Sequence, residues 1–290
     1  MTLPRPPIPL DPRMTPLRDG IAARHLEGQV EAGRFVEAEP CRVRAFAVPL
    51  RRAPDPVGPY DTELLHGEAF DLYERQGEWG WGQARRDGYV GYLPLAALGP
   101  AEPPPTHRIA DMRAFLYPGP SIKATPLGHL PFGAECTVLD SEARFARIEA
   151  GYVFADHLGP LDAVEADPVA VAERLIGIPY LWGGKTSLGL DCSGLVQTAC
   201  HACGIPALRD SDMQEQSLGR AINIPDEPGL YERGDLLFWP GHVGFAQGEG
   251  RLLHATGAFM KVVSEPLDTA LARIAGQGHP LRTVRRLSKA

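Results

Sequence analysis

Residues 176–203 read IGIPYLWGGKTSLGLDCSGLVQTACHAC. An aromatic Pro-Tyr segment and a glycine-rich loop run straight into Asp191-Cys192-Ser193-Gly194. From Ser193 onward Leu195, Val196, Ala199 and Cys200 recur at helical spacing until Gly204 stops the run. Gly183, Gly184 and Gly189 free the backbone to turn sharply ahead of that helix. The spacing therefore predicts Cys192 at or just before a first helical turn. Unpaired N–H groups there carry partial positive charge, which favours thiolate over thiol and pulls a cysteine pKa below its free value of about 8.5. The same N–H groups can stabilise an oxyanion.

A nucleophile of this kind needs a base, and the base needs an orienter. Downstream, GDLLFWPGHVGFAQGEGRLLHATG predicts a strand followed by a hairpin, with Val243–Gln247 and Arg251–Ala255 flanking the Gly248-Glu249-Gly250 turn. A turn centred near Glu249 pairs Gly244 with His254. His242 shares a face with Gly244, so His242 and His254 become diagonal cross-strand neighbours, roughly 7 Å apart or less at Cβ. One imidazole can then face Cys192 while the other orients it.

Pro179-Tyr180, Trp182-Gly183-Gly184, Asp191-Cys192-Ser193-Gly194, Gly234-Asp235 with Phe238, Gly241-His242 with Gly244, and His254-Ala255 follow one another as in the NlpC family of papain-like cell-wall cysteine peptidases. The chain resembles that family over most of residues 165–287. The resemblance implies an α+β, papain-like catalytic domain at 161–290, with Cys192 as nucleophile, His242 as base and His254 as its orienter. It implies an oxyanion site made by the Cys192 N–H and the Tyr180 hydroxyl, although a core aromatic with a satisfied O–H is a common alternative for Tyr180. No cofactor or metal is called for.

Bulk properties agree with a soluble protein of two or three domains. The chain has 290 residues, 44% of them hydrophobic, and a net charge of −7. That charge is spread along the chain without a basic block, which disfavours nucleic acid as a partner. MTLPRPPIPLDPRMTPLRDG places prolines where a secretory signal needs an unbroken apolar run, and no later stretch approaches ~20 apolar residues. Export and membrane spanning are not expected. Five irregularly spaced cysteines do not form a disulfide framework, so a reducing, cytoplasmic setting is expected. Cys200 and Cys203 make a C-x-x-C inside an apolar helical run rather than at a helix start, which predicts buried packing. Cys192, His242 and His254 could in principle ligate zinc, but a nucleophile explains Asp-Cys-Ser-Gly better.

Residues 1–38 divide into a proline-rich opening and a polar stretch, Leu17–Phe35, with weak helical spacing. An extended or helical arm without chemistry is expected. From 39 to 160 short alternating runs dominate, and Ala69–Glu74, Trp79–Arg85 and Gly88–Leu93 read as strands. A repeat is visible. Gly91-Tyr92-Leu93 precedes Leu98-Gly99-Pro100 as Gly151-Tyr152-Val153 precedes Leu158-Gly159-Pro160, and Glu68-Ala69-Phe70 answers Glu135-Cys136-Thr137. Two small β-barrels, 39–100 and 101–160, follow from it, resembling bacterial SH3-like domains. Trp79, Trp81, Tyr89 and Tyr92 form an exposed-looking aromatic set on the first, part of which base rates assign to the core.

A family subgroup with this layout walls its substrate groove with a tyrosine and an acid of the first barrel, for which the resemblance selects Tyr89 and Glu68. The same subgroup contributes a serine after the nucleophile helix, here Ser211; an ordinary loop and helix cap is the alternative. Asp191 either caps the nucleophile helix or binds the ammonium of a free substrate N-terminus. Ser193 is either a cap or a substrate contact, while Trp182 and Trp239 are expected to pack. The resemblance implies a peptidoglycan-derived peptide as partner, L-Ala-γ-D-Glu-diamino acid, cleaved before the diamino acid during murein peptide recycling. An amidase or acyltransferase on the same scaffold, or a non-catalytic wall-binding protein, are the competing expectations.

Overall fold

The computed structural model describes residues 10–288; the proline-rich opening of residues 1–9 lies outside them. Helical spacing misled for the arm. Leu17–Arg18, Ile21–Ala23 and Arg34–Val36 form a three-stranded sheet with one short 3-10 turn, Arg24–Leu26, among them. The turn at Asp19-Gly20 takes positive φ at both residues, +40° and +77°, and a helix cannot run through it. Ile21 packs on Trp81 and Tyr92, and the Arg18 guanidinium stacks over the same two rings at 4.9 and 5.1 Å. The aromatic set of the first barrel is thus largely covered by the arm: Trp81 is 2% exposed and Tyr92 7%.

The first strand set orders Leu98–Pro100, Glu39–Val43, Ala69–Gln76, Trp79–Ala84 and Val90–Pro94 in one antiparallel sheet, with the hairpin Ala47–Leu50/Thr62–Leu65 joined to it at Arg51 and Tyr92. Alternation puts Val43, Leu50, Phe70, Leu72 and Leu93 in one core. The second set repeats the plan. Gly128–Pro131, Arg113–Tyr117, Gly151–Phe154, Phe145–Ile148 and Asp140–Glu142 form its main sheet, and each set ends in a 3-10 turn followed by a Leu-Gly-Pro strand. The repeat-equivalent glutamates, Glu68 and Glu135, converge on one guanidinium, Arg86, where the two sets meet.

The remaining chain is α+β. Helices α1 (Pro168–Glu173), α2 (Cys192–Ala202), α3 (Ser211–Ser217) and α4 (Leu267–Gly276) surround a six-stranded antiparallel sheet. Its strand order is 220–222, 283–286, 235–239, 242–248, 251–256 and 261–266. Leu195, Val196, Ala199 and Cys200 of α2 pack on Phe238, Val243, Phe245, Leu253 and Ala255 of that sheet. This burial holds α2 across the strands that carry both histidines, and it accounts for the C-x-x-C: Cys200 is fully buried and burial pushes its thiol up to about 12. All five cysteines are free. Among the described residues no helix is long and apolar enough to cross a membrane.

Candidate active site

Asp191 is the N-cap of α2. Its Oδ1 accepts the Gly194 N–H at 2.7 Å, so the helix opens at Cys192, one residue before the expected Ser193. Gly194 is required there, because a Cβ would collide with the Gly184 carbonyl of the glycine-rich loop. The nucleophile turn is thereby pressed onto that loop. Cys192 is 6% exposed, with Sγ 4.0 Å from the carbonyl oxygen of Gly241, the residue before His242. Burial pushes the Cys192 thiol up to about 12, the Asp191 charge adds to this, and the N–H groups of Val243 and Ser193 with the Arg209 charge only partly offset it. The lowered thiol pKa expected from a helix start is corrected here, because desolvation outweighs the dipole.

The hairpin takes the expected register. Phe245 pairs with Leu253, and Gly248 with Arg251 across Glu249-Gly250, after one bulge between Ala246 and Gly248. Glu249 and Gly250 have φ of +53° and +66°, a tight two-residue turn. His242 Nε2 lies 2.8 Å from His254 Nδ1. His254 is fully buried, and its Nε2 lies 2.7 Å from Glu265 Oε1, which also takes the Arg273 guanidinium. Burial holds the His242 imidazole down to about 3, aided by His254 and Arg273. Burial thus favours the neutral form of both thiol and imidazole.

A cleft of about 250 Å³ opens in front of Cys192. Tyr180, Trp182, Ser193, Asp210, Ser211 and Gly241 line it from the catalytic domain, Asp61 and Tyr89 from the first barrel, and Arg13 from the arm. The Tyr89 hydroxyl donates to Asp210 Oδ2 at 3.0 Å, and Arg13 donates to the same oxygen at 2.8 Å. Asp61 takes Arg52 on Oδ1 at 3.1 Å, while its Oδ2 is buried and has no hydrogen-bond partner among the described residues.

The match to known proteins follows the same division of the chain. Residues 177–273 match the NlpC/P60 family model, and residues 50–98 match a bacterial dipeptidyl-peptidase SH3 domain. The chain carries an NlpC/P60 domain. Dipeptidyl-peptidase 6 of Lysinibacillus sphaericus is 31% identical over 52% of this chain and 60% of its own length. The gamma-D-glutamyl-L-lysine dipeptidyl-peptidase of Bacillus subtilis is 29% identical over 70% of this chain and 75% of its own. An NlpC/P60 family protein from Bacillus cereus ATCC 10987 superposes with a TM-score of 0.70 over 86% of this chain and 99% of its own, at 20% identity, which speaks for a shared fold.

The structure brings Cys192, Tyr180, Asp191, Ser193 and Ser211 of this NlpC/P60 domain and Tyr89 of the first barrel to one cleft, with His242 and His254 on the adjoining hairpin. Two substrate assignments are corrected. Glu68 does not line the cleft; it is 3% exposed and pairs with Lys185 at 3.3 Å and Arg86 at 2.9 Å where the barrels and the catalytic domain meet. Asp191 has no carboxylate oxygen to spare for an ammonium. Its oxygens serve the Gly194 and Gly183 N–H groups and the buried Arg209, whose Nη1 and Nη2 lie 3.0 and 2.7 Å away. Trp182 is 66% exposed on the cleft rim instead of packed, whereas Trp239 is buried. The arm reaches the cleft, where Arg13 lines the wall.

Arg13, Asp61, Arg209, Asp210, Glu265 and Arg273 escaped the sequence reading. Glu265 alone left a signal. Continuing the hairpin past Lys261 pairs His254 with Val263 and puts Glu265 two residues on, on the same face.

Proposed function

We propose that this protein is a cysteine peptidase that cleaves the bond between γ-D-glutamate and a diamino acid in peptidoglycan-derived peptides with a free N-terminal L-alanine. The observation that carries this is the wall of the Cys192 cleft lined by Asp61 and Tyr89 of the first barrel with Asp210, where the buried Asp61 Oδ2 lacks a hydrogen-bond partner among the described residues. A buried, unpaired carboxylate oxygen suits an ammonium. The names of the relatives support the bond class, and Arg52 on the same wall suits the free α-carboxylate that a γ-linked glutamate retains.

In this mechanism Cys192 passes its proton to His242 as Sγ attacks the amide carbonyl. The Cys192 N–H and the Tyr180 hydroxyl receive the oxyanion, and protonated His242 then gives its proton to the departing amine. His242 next activates water to clear the thioester. His254 holds the ring of His242 throughout. A reducing, cytoplasmic location and a role in recycling wall peptides belong to the same proposal.

The test is hydrolysis of L-Ala-γ-D-Glu-meso-diaminopimelate and its L-lysine counterpart, each free and N-acetylated, by the wild type and Cys192→Ala. Release of the diamino acid from free-amine peptides alone, abolished by the substitution, is expected. Equal cleavage of free and acetylated peptides removes the amine claim, and no cleavage of any of them by folded protein removes the substrate class.

A further inference from the structure

We infer that Glu265, anchored by Arg273, is a positioning residue that sets the direction of proton transfer through both histidines to Cys192. This rests on the cysteine-nucleophile reading but not on the identity of the substrate.

The geometry leaves one consistent arrangement of protons. An ionised carboxylate only accepts, so the 2.7 Å contact to Glu265 Oε1 requires the proton of neutral His254 on Nε2. Burial would raise the Glu265 carboxyl, but the hydrogen bond from His254 and the charge of Arg273 outweigh it and keep the group below its ordinary range. His254 Nδ1 is then unprotonated and accepts at 2.8 Å from His242 Nε2. The proton of His242 is fixed on Nε2, and Nδ1 remains as its single open acceptor. A thiol can lose its proton only to such an atom.

Five elements supply the charged and titratable groups involved: Cys192 on α2, His242 and His254 on neighbouring strands, Glu265 on strand Lys261–Pro266 and Arg273 on α4. Arg273 is placed to do harm if Glu265 is removed. Its guanidinium and His254 Nε2 contact the same Glu265 oxygen, so without the carboxylate a donor is left beside His254 Nε2. A donor there favours the proton on Nδ1, which reverses both rings and turns a proton toward the thiol.

Two readouts that need no peptide test this in the full chain. The first is ¹⁵N NMR of the ring nitrogens at neutral pH, where the wild type is expected to carry Nε2–H on both His242 and His254. A proton on Nδ1 of either ring overturns the inference without any variant. The second is the rate of Cys192 alkylation by iodoacetamide, corrected with Cys192→Ala for the other four cysteines. Glu265→Ala is expected to move the His254 proton to Nδ1, slow alkylation about tenfold or more, and lower kcat/KM about 10²-fold or more, as general-base losses do. Glu265→Gln keeps an oxygen for both His254 and Arg273, and is expected to keep the tautomers and alkylate within about threefold of wild type. A Glu265→Ala protein with unchanged tautomers and alkylation overturns the inference, as does a Gln variant as slow as the Ala variant. Failure of peptide cleavage alone, with these readouts as expected, counts against the proposed substrate instead.

Discussion

Replacing Arg209 with methionine tests whether Asp191 is a structural anion or a substrate receptor. Arg209 is 1% exposed, and its guanidinium donates to Asp191 twice, to Ser193 Oγ at 2.9 Å, and through Nε to Thr62 Oγ1 of the first barrel at 2.9 Å. Methionine fills similar volume and removes the charge. Asp191 would keep its two backbone donors but lose its counter-ion, and stranding one partner of a buried pair costs about 3–5 kcal/mol. At about 2–4 °C per kcal/mol for a chain of this class, the melting temperature should fall by roughly 6–20 °C. Asp191→Asn alone should also be destabilising, since it strands Arg209. The double variant should cost less than the two single costs added, by about 2 kcal/mol or more. Calorimetry of the four proteins measures all of this. The same Asp191→Asn protein should keep the wild-type ratio of kcat/KM between free and N-acetylated peptide. A melting shift under about 2 °C for Arg209→Met, strict additivity, or selective loss of free-amine cleavage in Asp191→Asn would each refute the structural role.

Asp61→Asn should lower kcat/KM for the free-amine tripeptide by about 10–100-fold, the worth of one charge-assisted hydrogen bond, and leave the melting temperature nearly unchanged. Stopped assays on free and acetylated peptides measure it. His201→Gln should flatten the acid limb of stability. Burial holds His201 down to about 4 in the fold, below its unfolded value of about 6.5, so the contribution is full above pH 6.5 and is lost as pH falls toward 4, for a total of about 3 kcal/mol. Urea titrations at pH 7 and pH 4.5 compare the two proteins.

What could be read from the sequence was whatever is encoded locally. Helix α2, the two-residue hairpin turn and the His242–His254 pairing rest on periods of 3.6 and 2 and on turn chemistry, all of which lie within a few residues of each other. The Leu-Gly-Pro repeat marked equivalent strands in both barrels for the same reason. The misses are long-range. Asp191 and Glu68 have the right charge for an ammonium, but the atoms that claim them are 18 and 117 residues away, Arg209 and Lys185. Conversely Asp61 and Arg13 reach the Cys192 cleft only because the first barrel and the arm dock beside it. The arm itself was misjudged because its weak helical spacing was read without giving weight to Gly20, where the chain reverses.

The first barrel is part of the catalytic apparatus in a physical sense. Thr62 accepts from Arg209, Glu63 accepts the backbone N–H of Lys185 at 3.0 Å, and Tyr89 donates to Asp210, so the glycine-rich loop, the cap of α2 and the cleft wall each have a partner on the barrel. At the site itself, burial raises the Cys192 thiol and lowers His242. A preformed thiolate–imidazolium pair is the cost of such burial. A site that buries a neutral pair must instead move its proton at the moment of attack, and it can do so only if the facing imidazole nitrogen is empty. Burial of the pair and the tautomer held by Glu265 are therefore complementary: the first makes the direction of the histidine relay matter, and the second fixes it.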